Sequence, residues 1–435
     1  TDGNDSRALG RCGIGAVMGS KNLKAIVVKG TKNIGYHEPE KLKESIRSIA
    51  QGIRENGKGL NNFGTAGGVI GHESYGNFPL KNWELGRWPE GVEKISGQRM
   101  AETILTGKYR CKSCIIGCGR IIKIEEGPYK GVEGGGPEYE TLGMLGGMCL
   151  VDNLEAISYG NQLCNDYGID TISTGASIAF AMELFEKGII DTSVTDGFEI
   201  KFGDEKILIK LIEMIGEREG FGKILGEGVR KAAEIIGGKA EEYAIHVKGL
   251  EPPAHDARAY NGLALSYSTS NRGACHVAGF THGYERTNSM PELGYNEPHD
   301  RHRVDGKAEF VIKFQNLMGV VDSLKVCKFG ISTGMKIKSL TEWLNYVVGW
   351  EDYTTEELLK AGERIYNVKR LFNVGCGVSR KDDTLPLRHQ TLKREGEGVT
   401  VNLPPLGRML SEYYDLRGWD EIGIPKPEKV KELNI

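Results

Sequence analysis

Nowhere does this chain hold the run of roughly 20 apolar residues that crosses a bilayer. Its longest apolar stretches, such as residues 206–215, are broken by charge. A charge bias is missing too: 56 Lys and Arg against 59 Asp and Glu leave a formal net charge of -3. That excludes the global positive field which draws proteins onto nucleic acid or anionic membranes. There is no even, closely spaced cysteine set and no signal-like segment opens the sequence, so a disulfide framework is not expected from the nine cysteines. Internal repeats of fixed period are absent, and 39% hydrophobic with 26% charged residues excludes disorder as the main state. What remains is a globular chain with thiols free to bind metal, expected in a reducing cytoplasm, without a nucleic-acid partner or a membrane span.

Glycine, by contrast, is plentiful at 61 residues, about twice the average share. The sequence enters at once into Gly10-Arg11-Cys12-Gly13-Ile14-Gly15, which reads as the middle of a domain whose N-terminal part is missing. Gly13 and Gly15 leave backbone amides bare enough to approach a phosphate, with Arg11 to pair it; no strand–GxGxxG–helix unit surrounds them, so a dinucleotide fingerprint is weak. Residues 25–28 read as a short strand. Beyond them helix signals dominate: residues 42–53 behind Pro39, a stripe opened by Asp152 and Glu155 at capping-box spacing, and residues 176–187, 206–215 and 229–236 with glycine stops. A buried stripe over residues 310–321 and a second capping box at Thr354 and Glu357 complete the pattern. The expected class is mainly α, with boundaries near residues 35–40 and 249–253.

Three groups carry chemistry. Cys111, Cys114 and Cys118 place three thiolates within eight residues, enough for three irons of one iron–sulfur cube with a distant fourth ligand. A zinc knuckle would require a second pair, which the sequence lacks. Cys327, just past a helix end, is well placed to complete the cube, although spacing alone leaves Cys149, Cys164, Cys275 and Cys376 open. Lys108, Arg110, Lys112, Arg120 and Lys123 interleave with the trio, offering either a docking face for an acidic redox protein or a solvated loop. The segment Glu133–Glu140 brings carboxylates to a Gly/Pro turn, where a buried one would have a raised pKa and a surface pair would only cap a helix. Six of nine histidines, at 246, 255, 276, 282, 299 and 302, crowd one stretch and suggest a polar cavity.

Taken in order, these segments resemble the tungsten-containing aldehyde:ferredoxin oxidoreductase family. The resemblance runs through Gly10–Lys21, the cysteine trio, Gly136-Pro-Glu-Tyr-Glu140, Tyr167-Gly-Ile-Asp170-Thr-Ile-Ser173, His255-Asp256, Arg272-Gly-Ala-Cys-His276, Asp322-Ser-Leu-Lys-Val-Cys327, Asp382-Asp-Thr-Leu-Pro386 and Leu416-Arg-Gly-Trp419. It implies two multihelical domains, residues 39–245 with the cysteine trio and residues 246–435, preceded by the remnant (1–38) of a β-rich pterin-binding domain. It further implies a [4Fe-4S] cluster on Cys111, Cys114, Cys118 and Cys327 beside a tungsten or molybdenum bis-pterin centre, with Mg2+ bridging the pterin phosphates. Arg11, Cys12, Gly13 and Gly15 match the loop that meets those phosphates. Asp170 and Asp322 match the carboxylates that accept pterin N–H groups, within motifs that include Asn165, Ile169 and Val326; Asp170 would equally serve as the N-cap ahead of Thr171. Glu138 and His276 match the pair flanking the metal's open face.

The implied activity is anaerobic oxidation of aldehydes to carboxylic acids, with Glu138 activating water or taking the proton, His276 bonding the carbonyl oxygen, and electrons leaving to ferredoxin or another small redox protein, in a homodimer or a larger redox complex. A benzoyl-CoA (aromatic ring) reductase subunit is the alternative within the family, and an iron–sulfur electron carrier without pterin the alternative outside it. The sequence departs from the pattern at Asn165, where Asp is usual, at Lys325-Val326, where Gly-Leu is usual, at Cys12, where a small residue is usual, and at Tyr159, where some members carry a carboxylate. No iron site between subunits is therefore expected.

Overall fold

The computed structural model describes residue 8, residues 10–399 and residues 401–435. Most of them are helical, and the helices gather into two hydrophobic cores. The first surrounds the helix Thr171–Glu186, whose sequence is apolar all round and whose residues 174–184 are all buried. Such a helix is stable only when enclosed, and Leu142–Gly147 on one side and Glu205–Glu217 on another help to enclose it. The second surrounds Lys307–Ser323, packed by Asn261–Thr269, Thr355–Gly375 and Leu406–Arg417. A buried ion pair, Arg388 to Glu183 at 2.6 Å, ties the two halves together, and Arg258, itself paired with Asp256 at 2.7 Å, donates across to the Trp83 carbonyl at 2.7 Å.

The local signals place most helices, with shifts at their ends. The N-cap of Leu154–Tyr167 is Asn153, whose side chain accepts from the Glu155 and Ala156 amides, whereas Asp152 turns out to meet Lys94. Asp170 and Asp204 cap the next two helices in the same way, so those helices start earlier than their apolar stripes suggest. The capping box at Thr354 and Glu357 is complete. The expectation for residues 25–28 does not hold: no strand pairs with them among the described residues, and Val27 is 92% exposed. β-branched residues favour extended backbone, but a strand exists only where a neighbour shares its ladder.

A small antiparallel sheet, in the order β1 (Leu105–Tyr109), β2 (Gly119–Lys123), β3 (Glu133–Gly135), sets the position of the site. Tyr109 pairs with Gly119, so the segment carrying all three early cysteines is the loop that closes this hairpin. Ile121 pairs with Gly135, and the chain then leaves β3 directly into Pro137 and Glu138. One sheet thus holds both the cysteine loop and the carboxylate segment.

Candidate active site

The β1–β2 loop turns through left-handed backbone at Ser113 (φ +62°) and Gly117 (φ +73°). The Ile116 and Gly117 amides both donate to the Cys114 sulfur, at 3.4 and 3.5 Å. Burial first, and then Glu138, Cys327, Cys114 and Cys111, together push the Cys118 thiol up to about 11, so those four lie within electrostatic reach of that one sulfur. Cys327 arrives there as the residue immediately before the helix Lys328–Ser332. The other candidates lie elsewhere: Cys149 and Cys164 are enclosed in the first core, Cys376 ends the helix Thr355–Gly375, and the Cys275 sulfur accepts from Arg272 at 2.8 Å. Four neighbouring sulfurs with amide donors to one of them suit an iron–sulfur cube, whose charge such donors stabilise. The surrounding cations divide into two kinds. Lys108, Arg110, Lys112 and Lys123 are exposed, but Arg120 is 2% exposed and donates to the Asn61, Asn62 and Gly117 carbonyls. Arg120 therefore belongs to the scaffold of the loop and leaves any docking face to the other four.

A cavity of about 760 Å³ opens beside these sulfurs, walled by Glu138, Glu140, His276, Cys327 and the rings of Phe63, Phe280 and Phe329. Thr65 donates to Glu138 Oε2 at 2.5 Å and also accepts from the Tyr139 amide, which fixes Glu138 at the start of the turn. Glu140, one residue past Tyr139, reaches the opposite partner: its Oε2 accepts from the Ala254 amide at 2.6 Å. Close approach makes this contact possible, since a Cβ on Gly143 would lie 2.5 Å from that of Ala254. The Glu140 Oε1 is buried without a hydrogen-bond partner, with His276 Nε2 at 3.4 Å and His255 Nε2 at 3.6 Å. Burial, with Asp170 adding, pushes the Glu140 carboxyl from 4.5 up to about 7, against the opposing pull of Arg11 and the Ala254 amide.

Burial acts in the opposite sense on the imidazoles. His255 and His276 are held well below 6.5, each by burial and then by the neighbouring rings, with Arg11, Lys328 and Arg272 also acting on His276. His282 falls to about 4 and His72 to about 3 for the same first reason. The rings pack closely, with His255 4.4 Å from His282 and 5.2 Å from both His276 and His72. All four are neutral at pH 7, so their contacts with Glu140 are those of an ion with dipoles. Glu140 is the group poised to change charge near neutrality, as a general base requires.

A second cavity, of about 790 Å³, is lined by Arg11, Cys12, Gly13, Gly15, Asp170, Ser173 and Glu251. Arg11 donates from Nε to Asp170 at 2.7 Å and from Nη2 to Ser173 at 3.0 Å, so it faces carboxylates within the loop's own surroundings. Asp170 also accepts from the Ile172 and Ser173 amides as the helix cap. Asn165 and Ile169 line a smaller adjoining pocket with Asp170 and Glu138. Asp322 pairs with Lys328 at 2.7 Å and, with Val326, lines the cavity beside Cys327. Lys325 has φ +59°, the left-handed conformation that favours the glycine usual at that position.

The histidine cluster was half legible. His255, His276 and His282 do come together, whereas His246 meets the Gly249 amide and His299 the Lys307 ammonium, away from the cavity. His72 joins the group from a distant segment with no signal in its spacing. Glu140 was readable only as a member of an acidic turn, and the fold is what separates it from Glu138.

The family description "Aldehyde ferredoxin oxidoreductase, domains 2 & 3" matches residues 41–435, and that of the family's N-terminal domain matches residues 1–30. The tungsten-containing aldehyde ferredoxin oxidoreductase of Pyrococcus furiosus is 42% identical over 440 residues, covering 99% of this chain and 69% of that protein. Its counterpart from Pyrococcus horikoshii is 40% identical over 444 residues, with 99% and 70% covered. Among solved structures, the active-site complex BamBC of benzoyl coenzyme A reductase with 1,5-dienoyl-CoA aligns at a TM-score of 0.77 with 25% identity, covering 97% of this chain and 69% of that one.

Proposed function

Since this chain belongs to the aldehyde ferredoxin oxidoreductase family and is an oxidoreductase, we propose that it oxidises aldehydes to carboxylic acids and delivers the electrons to ferredoxin or a similar small redox protein. The overall change is RCHO + H2O to RCOOH with two protons and two electrons released. In this reading Cys111, Cys114, Cys118 and Cys327 hold a [4Fe-4S] cluster. The loop Arg11–Gly15, with Asn165, Ile169, Asp170, Asp322 and Val326, receives a tungsten or molybdenum bis-pterin and its Mg2+. The bound pterin-metal group supplies two-electron redox chemistry, and the cluster supplies one-electron transfer outward. We also assign residues 39–245 and 246–435 to separate helical domains, in keeping with the two cores.

Glu140 is the base. The observation that carries this role is its buried, unpartnered Oε1 with a carboxyl raised to about 7 beside the neutral His276. In the carboxylate form it accepts a proton from water or aldehyde hydrate in the cavity. His276, neutral at working pH, donates from its ring to the substrate oxygen and so orients it. Glu138, held by Thr65 and close to Cys118, stands on the same wall as a supporting carboxylate, so the proton-taking role moves two residues along from where the motif alone put it. The three phenylalanines exclude water from the far wall, which favours an apolar aldehyde. Glu140→Gln in the metal-loaded enzyme tests the assignment: turnover with aldehydes and a viologen acceptor should collapse while tungsten and iron contents hold. Near-parental turnover would end it. The aromatic-thioester alternative is read in the same assay, because a ring reductase would act on benzoyl-CoA and leave aldehydes unoxidised.

A further inference from the structure

Behind the His255 ring lies a residue that touches neither the cavity nor any cysteine. Asn77 is fully buried, and its side chain is clamped on both ends. Its Oδ1 accepts from the Asp256 amide at 3.1 Å, and its backbone carbonyl accepts from the same amide at 2.9 Å. A backbone N–H can only donate, so the oxygen and nitrogen of the Asn77 amide are assigned without ambiguity. The Nδ2 group therefore points the other way, 2.8 Å from His255 Nδ1 and 2.9 Å from His72 Nδ1. An amide nitrogen has hydrogens to give and no lone pair to offer, so both imidazole Nδ1 atoms accept. A neutral imidazole that accepts at Nδ1 carries its hydrogen at Nε2, and the Nε2 of His255 is the atom 3.6 Å from Glu140 Oε1.

We infer that Asn77 is a positioning residue, whose buried amide locks His255 in the Nε2–H tautomer and so keeps an N–H aimed at the Oε1 of Glu140. The inference rests on the reading of Glu140 as the base. The consequence for that base is direct. Glu140 has one fixed hydrogen bond, from the Ala254 amide to Oε2; Oε1 has no hydrogen-bond partner, and the His255 N–H faces it from 3.6 Å as a dipole that favours the anion only while His255 keeps its hydrogen there. Around the carboxyl the other groups that bear on its charge are His276 at the same oxygen, Arg11, which favours the anion, and Asp170, which disfavours it. The same hydrogen decides what the cluster cannot do. Glu140, His255 and His276 bring one ligand atom each to within 4.8 Å of one another, yet a metal ion needs the Nε2 lone pair, which this tautomer does not have. Asn77 thus reserves the trio for protons and denies it to divalent cations.

Asn77→Asp tests this because it keeps the shape and the acceptor facing Asp256 while replacing the donor to His255 by a second acceptor. In the metal-loaded enzyme, kcat should fall roughly tenfold with KM for aldehyde changed less than about twofold, and the acidic limb of kcat should move to higher pH as the N–H dipole facing the carboxylate is replaced by a lone pair. The new negative charge alone would also move that limb, so the variant is repeated in a His255→Gln background, where the Gln amide offers a hydrogen from the Nε2 position whatever residue 77 does. There Asn77→Asp should cost less than about twofold in kcat relative to His255→Gln. Cobalt(II) added to the iron-loaded protein gives a readout independent of turnover: Asn77→Asp should gain one tight site with visible ligand-field absorption, and the parent should not. Asn77→Ala, which removes the donor without adding an acceptor, should show an intermediate loss and is the variant to read if Asn77→Asp does not accumulate in loaded form. An equal loss in both His255 backgrounds, or equally tight cobalt binding by the parent, would overturn the inference. If Glu140→Gln itself kept full turnover, the reading of the base would fail instead, and the cobalt result would still decide the tautomer.

Discussion

The cysteine corner and the imidazole pocket are neighbours built on opposite principles. At the corner, Cys111 and Cys327 are exposed, four exposed cations surround the loop, and the chemistry is written in a spacing of eight residues. In the pocket, Glu140, four neutral histidines and Asn77 converge from segments up to about two hundred residues apart in sequence, and burial sets every protonation state. On the proposed reading, the first site offers its sulfurs as ligands to a cluster brought in from outside. The second works by withholding water, which makes a carboxyl weak as an acid and imidazoles weak as bases, so one proton has one place to go. The difference teaches that metal ligation can be local while acid–base tuning must be tertiary.

The sharpest way to break that contrast is Glu140→Gln, expected to lower kcat by about 10² to 10⁴ with the metal contents intact. A result that lowered the metal contents instead would mean that the pocket, too, is a ligation site. His276→Asn should cost about 10²-fold in kcat, with the loss concentrated on poor aldehydes, whose oxygen most needs the donor. Stability supplies the next test. The folded pKa of Glu140 lies above its unfolded value of 4.5, at about 7, so the native state holds an extra proton between those limits. The contribution is therefore present below about pH 4.5 and is lost as pH rises through 7. With its side chain one-fifth exposed, thermal unfolding should show Glu140→Gln more stable than the parent by about 1 to 3 kcal/mol at pH 8 and no different at pH 4.5. The smallest effect belongs to the corner's surface. Changing Lys108, Arg110 and Lys112 together to Gln should slow reduction of an acidic ferredoxin about two- to fivefold at low salt, and the difference should vanish near 0.5 M salt, where screening is short-ranged.

The same contrast explains what could be read before folding. The cysteine trio, the capping box at Thr354 and the apolar helix at 171–186 are local patterns, and local patterns survive without coordinates. The mainly helical class followed from them. Residues 25–28 failed because β-propensity describes a residue's fit to a ladder and says nothing of whether a ladder is there. Arg120 was misplaced among the surface cations because sequence shows its charge and hides the three carbonyls that bury it. Glu138 and Glu140 sit two residues apart in one motif, and only Thr65 on one side and Ala254 on the other tell them apart. Asn77 was invisible, since nothing in Gly76-Asn77-Phe78 announces that its amide will face two imidazoles.

The central claim is that a thiol from far down the chain belongs with the early three. It is tested by iron and acid-labile sulfide per chain in anaerobically purified enzyme, read together with the paramagnetic signal of the reduced protein. The parent should hold about four irons, Cys376→Ala should match it, and Cys327→Ala should lose the cubane signal and most of its iron. A full complement of iron with an unchanged signal in Cys327→Ala would contradict the account.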